Sequence, residues 1–286
     1  MGIILEILKS LIYGFVQGIT EWLPISSTGH LILINAMLPL HVFTDPAENQ
    51  SFWEMYKVVI QLGSILAVVL LYFERLNPFS PRKDSTGRKT TWDLWLKIIA
   101  GSIPVGIIGL LLDDIVEAKL SRPLVVALML IIYGVLFIVA ELKRSRPVIR
   151  SVNGMDYGTA VKIGLFEALA LIPGTSRSGA TILGAMILGT TRAAATEFSF
   201  FMAIPAMLGA SLLKLIKLQA PVTFGSVIVL LSGLITSFVV SVLVIRRFLK
   251  YIRRHDFRIF GLYRIILGLL ILILALTGLL PGVFNI

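Results

Sequence analysis

Three ionisable residues, Glu21, His30 and Arg177, stand in otherwise apolar stretches, each beside a short run of serine, threonine and glycine. Ser26, Ser27, Thr28 and Gly29 follow Pro24, while Thr175, Ser176, Ser178 and Gly179 surround Arg177 after Pro173 and Gly174. Hydroxyls and free main-chain N–H groups at a helix start bind phosphate, and an arginine fork suits phosphate oxygens. A serine nucleophile needs a base, and Glu21 precedes Ser27 by one tight turn. His30 can protonate a leaving phosphate, orient a substrate, or compete with Ser27 as a nitrogen nucleophile. The indicated chemistry is phosphoryl transfer, with Arg177 and the loop amides stabilising the transferring group.

Further residues support or dilute this set. Gln17 and Glu21 are spaced i to i+4 and share one helix face. Glu167 faces the second polar run as Gln17 faces the first, and Thr181 closes that run. No cluster has the density of histidines and carboxylates of a dedicated metal cage, but Mg²⁺ needs only one or two carboxylates beside substrate phosphates, and Glu21 meets that need. The bland alternative is a Glu21–Arg177 ion pair that only ties two segments together. Arg192 and Glu197 read as a structural pair or as interfacial residues, His41 and His255 as solvated loop residues, and Trp22, Trp53, Trp92 and Trp95 as interfacial anchors.

Those polar runs must sit in a membrane. Hydrophobic residues make up 57% of the 286, which is above the ~45–50% of soluble chains, and mean hydropathy is +0.92. Long runs at 58–73, 96–112, 124–140, 222–245 and 265–280 carry no charge apart from Lys97, and each is near the ~20 residues that span a bilayer. The net charge of +10 gathers at 75–89, 143–150 and 246–258, between apolar runs, which is the positive-inside pattern and not a nucleic-acid footprint. Membrane lipids are therefore the expected surroundings. The N-terminal stretch lacks the basic start and cleavage site of a signal peptide and is expected to be retained. Without cysteine there is no thiol nucleophile or disulfide framework.

With the three basic segments inside, the more acidic segments 45–54 and 113–122 fall outside, and about six full spans follow. Two segments, 12–37 and 161–188, are broken midway by proline and the polar runs. Each reads as a re-entrant helical hairpin, the first from outside and the second from inside. Gly14, Gln17 and Pro24 are answered by Gly164, Glu167 and Pro173. Paired interrupted segments of opposite orientation mark an inverted repeat with a ligand site where the breaks meet. The expected fold is an all-α integral membrane protein, a single polytopic domain over 1–286 with repeats at about 1–140 and 160–286.

The segments Gln17-Gly-Ile-Thr-Glu21-Trp-Leu-Pro24-Ile-Ser-Ser27-Thr-Gly-His30 and Pro173-Gly-Thr-Ser-Arg177-Ser-Gly-Ala-Thr181 closely resemble the two signatures of the undecaprenyl-diphosphate phosphatase (bacitracin-resistance protein) family. Gln61-Leu-Gly-Ser-Ile-Leu-Ala67, Glu197-Phe-Ser-Phe200 and Tyr263-Arg264 add to the resemblance, which covers essentially the whole chain. It implies removal of the terminal phosphate from undecaprenyl diphosphate, recycling of the carrier for cell-wall synthesis, and bacitracin resistance. It also implies a bacterial plasma-membrane location, a site facing the extracytoplasmic side, dependence on Mg²⁺ or Ca²⁺, and catalysis by Glu21, Ser27, His30 and Arg177. The leading acidic position of the first signature is Gln17 here, which places the weight on Glu21, also as the metal ligand. The partner is a polyprenyl diphosphate lipid, and a homodimer is compatible with the sequence. A transporter or flippase of the same architecture is the rival reading, separated by release of free phosphate; a membrane scaffold gives no reason for ionisable residues at both breaks.

Overall fold

The computed structural model describes residues 2–120, 122–143 and 146–277, without the side chains at 113, 114, 117 and 118. Its named elements are all helical: α1 (Ile3–Thr20), α2 (Ser27–Met37), α3 (Pro46–Val59), α4 (Gln61–Leu71), α5 (Phe73–Leu76), α6 (Ser85–Leu120), α7 (Pro123–Leu142), α8 (Tyr157–Ala168), α9 (Arg177–Ile187), α10 (Arg192–Ile216), α11 (Phe224–Ile252) and α12 (Arg258–Leu276). The chain is a multi-pass, all-α membrane protein. Among the described residues seven helical stretches are long and apolar enough to cross a bilayer, one more than the six expected. The extra one is α1. It begins at Ile3, well before the expected hairpin start at 12, so one arm of a hairpin reaches spanning length.

Other boundaries also move. The span expected at 58–73 begins at Pro46, because Asp45 caps α3 by accepting from the Ala47 and Glu48 amides, and α4 continues it. The acidic stretch expected as a loop at 113–122 is helical to Leu120, and residue 121 lies outside the described residues. The last run, expected to reach 280, is described as helix to Leu276. Trp22 and Trp53 are not interfacial anchors. Trp22 is fully buried edge-on to Phe200, and Trp53 packs on Tyr13 and Tyr56. Trp92, by contrast, is half exposed near the start of α6, and Trp95 donates to the Leu76 carbonyl.

Each broken segment returns to the face it came from. In the first, Lys9 on α1 donates to the Pro39 carbonyl just beyond α2, and the His41 amide donates to Glu6. Asn49 of α3 ties the same stretch through Val42 and Leu40. In the second, the amides of Val148 and Ile149 donate to the Gly189 carbonyl and Thr191 donates back to Ile149. The start of α10 shares that second face through Arg192 and Glu141, while Gln219, beyond its end, donates to Ser51 of α3 on the first. The hairpins therefore open at opposite ends of α10.

Packing repeats between the halves. α1 lies against α11 as α8 lies against α6, α11 meets α4 as α6 meets α10, and α7 pairs with α12. The crossings need glycine at matched places: a Cβ on Gly14 would strike the Gly233 carbonyl of α11, and one on Gly164 the Gly101 carbonyl of α6. Overpacking at such a site costs about 1–3 kcal/mol. Gly164→Ala is expected to lower the thermal midpoint in detergent by that measure, while Gly106→Ala, whose Cβ would meet nothing, leaves it unchanged or slightly raised.

Candidate functional site

Two breaks built alike face each other. α1 ends at Thr20 with Glu21 as its C-cap, and α8 gives way to a short 3-10 turn at Leu169–Leu171. The chain then turns through Ser26 at φ 72° and Ser176 at φ 71°, left-handed backbone that a non-glycine residue adopts at a cost of order 1–3 kcal/mol. Both serines cap the helix that follows, each hydroxyl accepting from the glycine amide three residues on, Gly29 or Gly179. The structure thus pairs Ser26 with Ser176 and Ser27 with Arg177, and Pro24 falls opposite Gly174, not Pro173 as the sequence comparison had it. The remaining first-turn amides of α2 and α9 have no intrahelical acceptor.

Glu21 joins the two halves. Its Oε2 accepts from Ser27 Oγ at 2.8 Å and from Gln17 Nε2 at 2.9 Å, and its Oε1 accepts from Arg177 Nη2 at 3.1 Å. The carboxylate is buried and the guanidinium nearly so. Arg177 also donates through Nη1 to the Ser199 carbonyl at 2.8 Å, and Ser199 Oγ shares a 2.5 Å bond with Thr181. Ser178 donates to the carbonyl oxygen of Glu21 at 3.2 Å, so the second break is stitched to the end of α1. A hydroxyl and a permanent cation thus point at the two oxygens of one carboxylate.

His30 lies apart from this set. Its Nδ1 is 2.7 Å from the Ser26 carbonyl, which only accepts, so Nδ1 carries the proton. In the neutral ring Nε2 then accepts from the Tyr263 hydroxyl at 2.7 Å, with the two rings stacked. The neighbouring Arg264 is fully buried. Its Nη1 donates to the Pro24 carbonyl at 3.1 Å and its Nη2 to the carbonyls of Gly174 and Thr175, both at 2.8 Å, clamping the two breaks to one another.

The family model for bacitracin resistance protein BacA matches residues 10–270, which includes both breaks and Arg264. The chain belongs to the BacA family. An undecaprenyl-diphosphatase of Lactiplantibacillus plantarum is 53% identical over 94% of this chain and 97% of its own length. One of Streptococcus thermophilus is 49% identical over 98% and 96%, and undecaprenyl-diphosphatase 1 of Clostridioides difficile is 49% identical over 94% and 96%.

In this BacA-family chain several buried oxygens around the breaks have no protein partner: both of Glu167, Oε1 of Gln17 and the hydroxyl of Thr175. Nε of Arg177 is likewise unpartnered. Buried polar atoms left unpaired are rare and ask for water, ion or substrate. No group of three or more histidines, cysteines and carboxylates placed to hold a metal ion occurs among the described residues. The donors are all hard oxygens, which fits Mg²⁺ or Ca²⁺ held by one or two carboxylates together with substrate phosphates.

Thr28 sits half-buried in the first turn of α2. Arg192 and Glu197 do not pair with one another. Arg192 is bound to Glu141 and Glu197 to Arg75, because successive turns of α10 face different neighbours. His255 is exposed and stacks on Tyr251. Ser199, Tyr263 and Arg264 join the site unassigned by the sequence reading. An arginine inside the apolar run 259–280 was the available signal for the last of them.

Proposed function

We propose that this BacA-family protein hydrolyses undecaprenyl diphosphate to undecaprenyl phosphate and inorganic phosphate in the bacterial plasma membrane, recycling the lipid carrier for wall synthesis and so conferring bacitracin resistance. The observation that carries the reading is the Ser27–Glu21–Arg177 arrangement at two facing helix starts, in a family whose relatives bear that activity in their names. The basic segments at 75–89, 143–150 and 246–258 favour a cytoplasmic second face, and the first hairpin would then open outward.

In the proposed reaction the diphosphate rests on the first-turn amides of α2 and α9, with Ser26, Thr28, Gly29, Thr175, Ser176, Ser178 and Gly179 forming its walls. Ser27 Oγ attacks the terminal phosphorus, and the bond from that phosphorus to the bridging oxygen breaks. Glu21 takes the serine proton and returns it to the departing lipid phosphate. Water then attacks the phosphoserine, Glu21 accepts its proton and delivers it to Ser27 Oγ, and inorganic phosphate leaves. Arg177 stabilises charge on the transferring oxygens. His30, bonded to Ser26, holds the turn that aims Ser27. A divalent cation on Glu167, Gln17 and Glu21 would neutralise the diphosphate.

The test is phosphate release from undecaprenyl diphosphate by detergent-purified protein with Mg²⁺ or Ca²⁺. Ser27→Ala is expected to lose about 10³-fold or more and His30→Gln far less, with residual transfer still through Ser27. A radiolabelled phosphoserine trapped on acid quenching supports the serine route; phosphohistidine would reassign the nucleophile to His30. Lipid binding by the wild type without release would turn the assignment to transport.

A further inference from the structure

α1 and α12 border each other across a seam that neither helix closes: α1 packs on α11, α2 and α4, and α12 on α7. In the seam runs a groove of about 420 Å³ whose walls include Ile19, Leu23, Ile25, His30, Ile259 and Tyr263. Leu23 and Ile25 flank Pro24, so the inner wall of the groove is the first break itself. Polar character is confined to one place. His30 and Tyr263 bond to each other there, and the hydroxyl of Thr20 turns back to the Val16 carbonyl. Elsewhere the surface is hydrocarbon. Outward, Ile259 is 53% and Tyr263 43% exposed, and Leu262 and Ile266 continue the same apolar face of α12 into the surroundings of a membrane-spanning helix.

A site that works on the headgroup of a membrane lipid needs a lateral opening, so that phosphates reach helix starts while the hydrocarbon stays out of water. A second groove of about 440 Å³ lies between α6 and α10. It reaches the second break only through Leu171, and its two walls pack on each other, so it is a dent in a closed contact.

We infer that the polyprenyl chain leaves the phosphate site through the seam between α1 and α12, its first isoprene units lying on Leu23, Ile25 and Ile19 and the next on Ile259. The His30–Tyr263 pair marks the boundary between headgroup and tail. The inference rests on the phosphatase reading and names where that substrate's tail is gripped, hence what would discriminate chain length.

Because the chain has no cysteine, Ile259→Cys can be purified folded and only then blocked with a bulky maleimide, which separates obstruction from misfolding. Phosphate release is measured before and after labelling, from undecaprenyl diphosphate and from the much shorter farnesyl diphosphate. Labelling is expected to raise KM for the long substrate about tenfold or more, and to change kcat/KM for the short one no more than about threefold. Equal losses on both substrates, or no change on either, overturn the seam. So does a loss confined to the long substrate in labelled Gly209→Cys, which blocks the other groove. Failure of unlabelled wild type to release phosphate from either lipid is a different result and defeats the phosphatase reading itself.

Discussion

Glu21→Gln is expected to lower kcat for phosphate release by about 10³-fold or more, since a positioned base contributes about 10²–10⁴. The amide still accepts a hydrogen bond from Ser27 or from Arg177, so the fold around the breaks persists while proton transfer stops. Both carboxylate oxygens are engaged, one by Ser27 and Gln17 and the other by Arg177. The substitution therefore also removes the counter-charge of a nearly buried guanidinium, and breaking such a pair from one side costs about 3–5 kcal/mol of stability. Removing Arg177 as well, in Glu21→Gln/Arg177→Met, is expected to recover part of that stability without recovering activity. Residues acting as one unit are not additive, so the double variant should be scarcely slower than either single one. Kinetics and thermal unfolding on the same detergent preparations decide the matter, and a Glu21→Gln enzyme turning over near the wild-type rate would remove Glu21 from the chemistry.

Arg264→Met should strongly destabilise the site. It leaves the carbonyls of Pro24, Gly174 and Thr175 buried without their donors. Each unsatisfied group costs about 1–3 kcal/mol, so a loss of about 3 kcal/mol or more is expected. Loosening the clamp also lets the Ser27 and Arg177 halves drift, and a misplacement of about 1 Å costs on the order of 10²-fold in rate. Arg264→Lys keeps the charge, but a compact ammonium cannot fork to carbonyls on both breaks. It should restore part of the stability and little of the rate. Wild-type stability and turnover in Arg264→Met would show that the breaks hold their separation without it.

The capped turns explain why so much of this site was legible from its residues. A proline that cannot donate, a serine that caps and a glycine three positions later act locally, within one turn of chain. Both breaks could therefore be placed before any contact was known, and the i to i+4 bond from Gln17 to Glu21 follows from helix geometry alone. Capping by Asp45 is equally local but lay inside a stretch read by its charge, so the start of α3 at Pro46 was missed.

By itself the sequence determined the membrane, the two breaks and the residue types at them, because hydropathy, proline and helix capping are short-range properties of a chain. Which side chains meet across those breaks was decided only by tertiary structure. Ser27 and Arg177 are distant in the chain yet bind the two oxygens of one carboxylate, and His30, though only three residues from Ser27, turns away to Tyr263. The same holds for Trp22, buried against Phe200, and for Arg264, whose partners are main-chain carbonyls that carry no residue-specific signature. The physical reason is that the energy of an intramembrane charge depends on its partners, and those partners come from helices brought together by packing and not by order in the chain.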